Sequence, residues 1–215
     1  MKIIVLILAF TSSFAFFCED FHNHNNYIVP SHAIQYLVSP EEGNIPNSDS
    51  VELLTLGQKL FWWRAKDKLE DFPIIIQDNL YKGINWELHN KKLHALISTG
   101  FFSKSFLEAY DKLALEIDKY IKISKDKSAL NGIPDFDLEA DVWCSCQFNL
   151  TYSKPIKISN LRVAADSASF RITFDYDFQI SAKAIKENKI WKISSLEGFE
   201  IYKRKMDDVS KYNGR

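Results

Sequence analysis

The stretch D-V-W-C-S-C-Q-F-N-L at residues 141–150 carries the densest reactive chemistry in the chain. Two cysteines one residue apart, Cys144 and Cys146, can clip a metal, cycle between thiol and disulfide, or pack as small apolar groups. A structural zinc site needs four ligands. No second cysteine pair stands at a usual spacing, and His22 and His24 complete a set only if the N-terminal segment folds onto the pair. A bond between Cys144 and Cys146 is awkward, because Cα atoms two apart in a strand are separated by about 7 Å, the upper limit for a disulfide. Three readings follow: buried small side chains, a disulfide drawn from Cys18, Cys144 and Cys146, or a metal or redox centre. No catalytic, cofactor-binding or metal-ligating set is assigned, and no cofactor is implied.

A general base works from a dry pocket, so it should appear as a charged residue interrupting an apolar face. Few such interruptions stand out. Asp175 and Asp177 fall on the polar parity of their segment, and His89 and His94 read as surface histidines of an amphipathic stretch. The acidic ladder Asp135, Asp137, Glu139 and Asp141 lacks the glycine and the closing glutamate of a calcium loop, and reads as a solvated strand entry. No nucleophile signature of the G-x-S-x-G or H-E-x-x-H kind occurs. Seven glycines and the lack of either phosphate-loop pattern argue against nucleotide binding by such a loop. The 27 basic and 28 acidic side chains cancel, so the composition gives no footprint for nucleic acid. Lys203-Arg204-Lys205, the one basic cluster, reads as a solvated tail.

The elements that must position these groups begin behind a leader. Residues 1–15 combine a lysine, an apolar run and small residues at Ser13 and Ala15, the pattern of a secretory signal peptide cleaved after Ala15. The protein is therefore expected to be periplasmic or secreted. Lipid anchoring at Cys18 is the rival reading, opposed by the bulky Phe16 and Phe17 before it. The apolar run is too short to span a bilayer and nothing later approaches that length, so no transmembrane segment is expected in the mature chain. Residues 16–50, rich in Asn, His, Ser and Pro, read as an extended arm, residues 51–202 as one domain, and residues 203–215 as a polar tail.

Asp49 with Glu52 has the form of a capping box, and Leu53, Leu56, Leu60 and Phe61 follow at helical spacing to about Leu69. Ile74-Ile75-Ile76 is read as a short helix. Leu93, Leu96 and Ile97 mark another, stopped by Gly100. Ser105 with Glu108 repeats the capping signature before a stripe of Phe106, Tyr110, Leu113, Ile117 and Ile121, with Glu108–Lys112 and Asp118–Lys122 pairs on its wet side.

After Asn131-Gly132-Ile133-Pro134 the period changes to two. Val142, Cys144, Cys146, Phe148 and Leu150 alternate with polar residues as a strand with one buried face. Ile156, Ile158, Leu161 and Val163 form a strand whose parity slips near Asn160, as at a bulge. The alternation from Ala168 to Ile180 is one bent strand or two joined at residues 175–177. Asn188 marks a hairpin turn before Ile190-Trp191-Lys192-Ile193, with Trp191 and Ile193 facing inward. Helices first and an antiparallel sheet afterwards make the fold α+β.

This order, together with Pro134-Asp135-Phe136-Asp137, Asp166-Ser167-Ala168-Ser169-Phe170 and Lys189-Ile190-Trp191-Lys192-Ile193, resembles the nuclear transport factor two-like superfamily over about residues 51–196. The likeness is to an uncharacterised secreted or lipoprotein branch in bacteria. It implies N-terminal helices packed against a curved antiparallel sheet that closes as a cone. Some members of that superfamily are isomerases, dehydratases or hydrolases with a base in the cone, and others bind a protein or ligand without catalysis. The expectation is a non-catalytic exported binding protein, such as an inhibitor or immunity factor, with an unknown protein or small-molecule ligand. The alternative is a small-molecule enzyme, and a carboxylate or histidine pointing into the interior would distinguish it.

Overall fold

The computed structural model describes residues 48–124, 142–144, 157–173 and 179–212, with side chains as far as Met206. The leader, residues 16–47 of the arm, the acidic ladder, Asp175, Asp177 and the 145–150 stretch lie outside the described residues; the last three residues assigned to the arm, 48–50, are helical. Among those described, the chain is α+β, with four helices, a four-stranded antiparallel sheet and a two-stranded one.

Helix α1 (Ser48–Lys66) buries Leu53, Leu56, Leu60 and Phe61 as their spacing requires. Asp49 is not its cap. It lies inside the first turn, where its carboxylate accepts from Lys186 Nζ at 2.7 Å and Trp191 Nε1 at 3.1 Å. Ile74-Ile75-Ile76 is not helical either, but belongs to strand β1 (Ile74–Gln77), paired antiparallel with β2 (Leu80–Ile84). Consecutive β-branched side chains suit a pleated strand, and Asp78 (φ 54°) and Asn79 (φ 58°) supply the two left-handed residues of a tight hairpin turn. Gly83 (φ 134°) ends the hairpin where any Cβ would strike Asp118 Oδ1, which accepts the Ile84 N–H at 2.9 Å.

Helix α2 (Trp86–Thr99) starts at Asn85, whose side chain accepts from Leu88 N, and stops at left-handed Gly100 (φ 68°) as expected. Its buried face is His89, Lys92 and Leu96, whereas Ile97 is 50 % exposed. Helix α3 (Lys104–Ile123) is capped by Ser103, not Ser105: the Ser103 hydroxyl accepts from Phe106 N at 3.1 Å. The whole expected stripe of α3 is buried. Of the two ion pairs expected on its wet side, Lys122–Asp118 forms at 2.6 Å, while Glu108 pairs with Lys104 and Lys112 with Glu116. Asp118 is itself buried, because it also holds β2.

Strands β3 (Lys157–Ala164), β4 (Ser167–Thr173), β5 (Gln179–Glu187) and β6 (Ile190–Leu196) pair antiparallel in sequence order. The parity slip near Asn160 is real: its φ is 53° and the β3–β4 register shifts between Ser159 and Arg162. The 168–180 alternation divides into β4 and β5. Asn188 and Lys189, both at positive φ, turn β5 into β6, and Trp191 and Ile193 face the core. Phe102 bridges to Ile193 and covers part of the β6 edge.

Helix α4 (Glu197–Tyr212) runs through the region expected to begin a polar tail at residue 203. Phe199, Tyr202 and Met206 recur three and four apart and are buried, which carries the helix onward. Lys203-Arg204-Lys205 therefore lies on helix rather than loose chain, with Lys203 3.5 Å from Glu200. The inner face of the sheet is covered by α1, α3 and α4. Residues 142–144 form a turn, and Val142, Trp143 and Cys144 are all buried. The inward–outward alternation expected there fails at Trp143, since a turn can send successive side chains to the same side.

Candidate functional site

The segment joining α1 to β1 puts two carboxylates inside the fold. Asp67 and Asp71 keep only 5 % and 10 % of their side-chain surface exposed. Phe72 adopts φ 50°, a strained conformation for an aromatic residue that costs on the order of 1–3 kcal/mol. The offset comes from packing: its ring stacks on Tyr110 at 4.6 Å, while Asp71 is held by four neighbours.

Asp71 Oδ1 accepts from the Tyr110 hydroxyl at 2.8 Å and lies 3.1 Å from Lys92 Nζ. Its Oδ2 accepts from Trp143 Nε1 at 2.7 Å and faces Arg64 at 3.5 Å. Lys92 is completely buried and contacts Asp67, Asp71 and the Leu69 carbonyl. The ammonium donates to Asp67 Oδ2 and to the Leu69 carbonyl and is ion-paired with Asp71. The ammonium also stands 5.6 Å over the Trp63 ring and 5.8 Å from that of Trp143. Two cations and two carboxylates thus neutralise each other. Burial, and then the negative charge and hydrogen bond of Asp71, push the Tyr110 hydroxyl well above its ordinary value of 10.0. Tyr110 is therefore a fixed hydrogen-bond donor, not an incipient phenolate.

This arrangement has the composition of a catalytic centre and the wiring of a clamp. A nucleophilic lysine needs a free lone pair, and a carboxylate base needs a free oxygen facing substrate. Here the Lys92 protons and the Asp71 oxygens are committed to one another. The clamp joins α1, the 67–71 segment, α2, α3 and the 142–144 turn.

The distinguishing feature set out from sequence, a carboxylate or histidine inside the fold, is present. His89, expected at the surface, is completely buried because it sits one turn before Lys92 on the inner face of α2. Its Nε2 is 3.0 Å from Asp111 Oδ1. Among the described residues Nδ1 has no hydrogen-bond partner, and the imidazole packs against the rings of Phe72, Trp86 and Tyr110. His94 is exposed as expected.

Of the three cysteines, Cys144 is described, and it is buried and disulfide-bonded. Its partner lies outside the described residues, which leaves Cys18 and Cys146 as the alternatives. Among the described residues, no three His, Cys, Asp or Glu side chains converge as metal ligands, and no helix is long and apolar enough to cross a membrane.

No family model, curated protein or solved structure matches this chain.

Outside the core, the solvent face of the large sheet carries a cleft of ≈260 Å³ between β3 and β6. Arg162, Ser167, Ser169, Lys183 and Ser194 supply its polar lining, and Ala164 and Ile185 part of its apolar lining. Sequence reading missed both the clamp and this cleft. For the clamp a signal was available: Lys92 falls three residues after His89 and four before Leu96, a charged side chain on a buried helical face.

Proposed function

We propose that this protein is an exported binding protein without catalysis of its own, acting in the cell envelope as an inhibitor or immunity factor. The observation that carries this reading is the saturation of Asp71 and Lys92 by one another and by Tyr110, Trp143, Arg64, Asp67 and Leu69. Groups so committed stiffen a scaffold, and neither Asp71 nor Lys92 is left as a base or nucleophile to act on a substrate. A rigid scaffold with an open sheet face is what a binding protein needs, because pre-organised surfaces lose little entropy on association. We read the scaffold as a relative of the nuclear transport factor two-like cone, on the order of helices followed by an antiparallel meander.

The second reading, a small-molecule enzyme, is favoured by the burial of His89 with an unpartnered Nδ1. It requires a path for substrate to reach that nitrogen. The deciding experiment is affinity capture by the mature protein from envelope and secreted fractions, followed by mass spectrometry. A partner retained in stoichiometric amount supports the binding reading. Absence of any partner, with turnover of an isomerase, dehydratase or hydrolase substrate that is lost in His89→Ala, would establish the enzyme instead. Intact mass of the exported chain tests the export step: it should begin at Phe16 and carry no lipid on Cys18.

A further inference from the structure

The balanced charge of the chain conceals a one-sided sheet. Side chains alternate between faces along each strand, so burial of Ile158, Ala168, Phe170, Ile172, Ile180, Ala182 and Ala184 directs their neighbours outward. The outward positions include Lys157, Arg162, Arg171 and Lys183, all exposed. On the strands β3, β4 and β5 themselves the single carboxylate is Glu187, at the far end of β5, where it accepts the Lys104 N–H at 3.0 Å; Asp166 stands in the β3–β4 turn, and Glu197, at the start of α4, accepts the Ser181 N–H at 2.7 Å. None of the four cations forms an ion pair among the described residues.

Their register gives the face a defined pattern. Arg162 pairs with Ser169, and Ser169 with Lys183, so two cations flank a serine in one row across three strands. Strand spacing sets their Cα atoms about 10 Å apart. Arg171 follows two residues along β4, about 7 Å further, and Lys157 opposite Thr173 extends the field. The cleft lies on the first of these rows. Its hydroxyls and guanidinium suit carboxylates: Arg offers a planar pair of N–H groups, and Ser169 a small donor between the charges. No aromatic side chain stands outward on β3, β4 or β5, so the face lacks the stacking platform on which sheet surfaces hold nucleic-acid bases.

We propose that this outer sheet face, centred on Arg162 and Lys183, docks an acidic segment of a protein partner. The inference rests on the binding reading above and names where and through what chemistry that binding occurs. Like charges held unpaired on one face repel, and an acidic partner relieves that repulsion while giving steering and register to the encounter.

The test uses the full mature chain and a fluorescein-labelled oligoglutamate peptide, followed by fluorescence anisotropy at increasing salt. Saturable binding that weakens with salt is expected, and Arg162→Glu with Lys183→Glu should weaken it about tenfold or more. Lys104→Glu with Lys112→Glu, on α3, should leave it within about twofold. Circular dichroism and unfolding of each variant confirm that the fold is kept. The double-alanine variant, Arg162→Ala with Lys183→Ala, serves if charge reversal disturbs the sheet, with a smaller loss in the same direction. Absence of saturable binding by the parent, indifference to the Arg162 and Lys183 changes, or tighter binding of a single-stranded DNA oligomer of equal charge would each overturn the assignment. Partner capture separates this failure from that of the broader reading. A partner retained equally by the parent and by the Arg162→Glu, Lys183→Glu variant overturns the surface and leaves the binding reading standing.

Discussion

Trp143 Nε1 donates to Asp71 Oδ2 at 2.7 Å, a hydrogen bond between residues 72 positions apart. It ties the 142–144 turn to the segment that follows α1, and the same carboxylate reaches α2 through Lys92 and α3 through Tyr110. One side chain therefore holds four separate parts of the chain in register.

Removing it should be costly. Asp71→Ala leaves Lys92 buried with one carboxylate fewer, and truncating one partner of a buried ion pair costs about 3–5 kcal/mol. Denaturant unfolding measures the loss. A change below about 1 kcal/mol would mean that water enters the cluster and solvates the ammonium.

Tyr110→Phe removes a hydroxyl bonded to a charged acceptor, a loss of about 1.5–3 kcal/mol near neutral pH. The pH dependence has a definite sign. Folding raises the Tyr110 pKa above 10.0, so above that pH the unfolded chain loses a proton that the folded chain retains. Stability contributed by the neutral hydroxyl is intact below about pH 10 and falls as pH rises further. The parent should lose stability more steeply than Tyr110→Phe between about pH 9.5 and 11, and parallel curves would contradict the burial of this hydroxyl.

Asp49 and Trp191 define a second long-range tie. The hydrogen bond from Lys186, then that from Trp191, lowers the Asp49 pKa below 3.8, so its contribution is present above that value and is lost as pH falls. Trp191 is 3 % exposed with Lys186 Nζ 4.9 Å over its ring. Trp191→Ala should cost about 3–5 kcal/mol in chemical unfolding. An unchanged midpoint would place the ring outside the core.

Much of the fold was legible because burial leaves a period in the sequence. The α3 stripe, the slip at Asn160, the Asn188 turn and the Gly100 stop all follow from local rules. The failures share a cause. Ile74-Ile75-Ile76 has no period, so only the Asp78-Asn79 turn after it reveals a strand. Asp49 and Ser105 match a capping pattern, yet Trp191 claims the first and Ser103 is better placed than the second. The clamp was hidden because Asp67 and Asp71 look like loop residues until Lys92, Tyr110 and Trp143 are brought to them from distant positions.

Cys144 stands beside Trp143, so its disulfide anchors the turn that supplies one of the donors to Asp71. Cys144→Ser should destabilise the oxidised protein by about 2–5 kcal/mol and leave the reduced protein far less affected. Non-reducing peptide mapping will show Cys144 joined to Cys18 or Cys146. Full alkylation of Cys144 in unreduced, unfolded protein would contradict the bond.

Amine labelling of the native protein tests the closed, saturated state of the clamp most directly. The chain is exposed briefly to an acylating ester, and each lysine is quantified by mass spectrometry. Lys92, buried, donating to Asp67 and the Leu69 carbonyl and ion-paired with Asp71, should remain unlabelled while Lys104 and Lys112, 84 % and 76 % exposed, react. Labelling of Lys92 as fast as Lys104 or faster would show an accessible, activated amine, and the interior would then be an active site rather than a clamp.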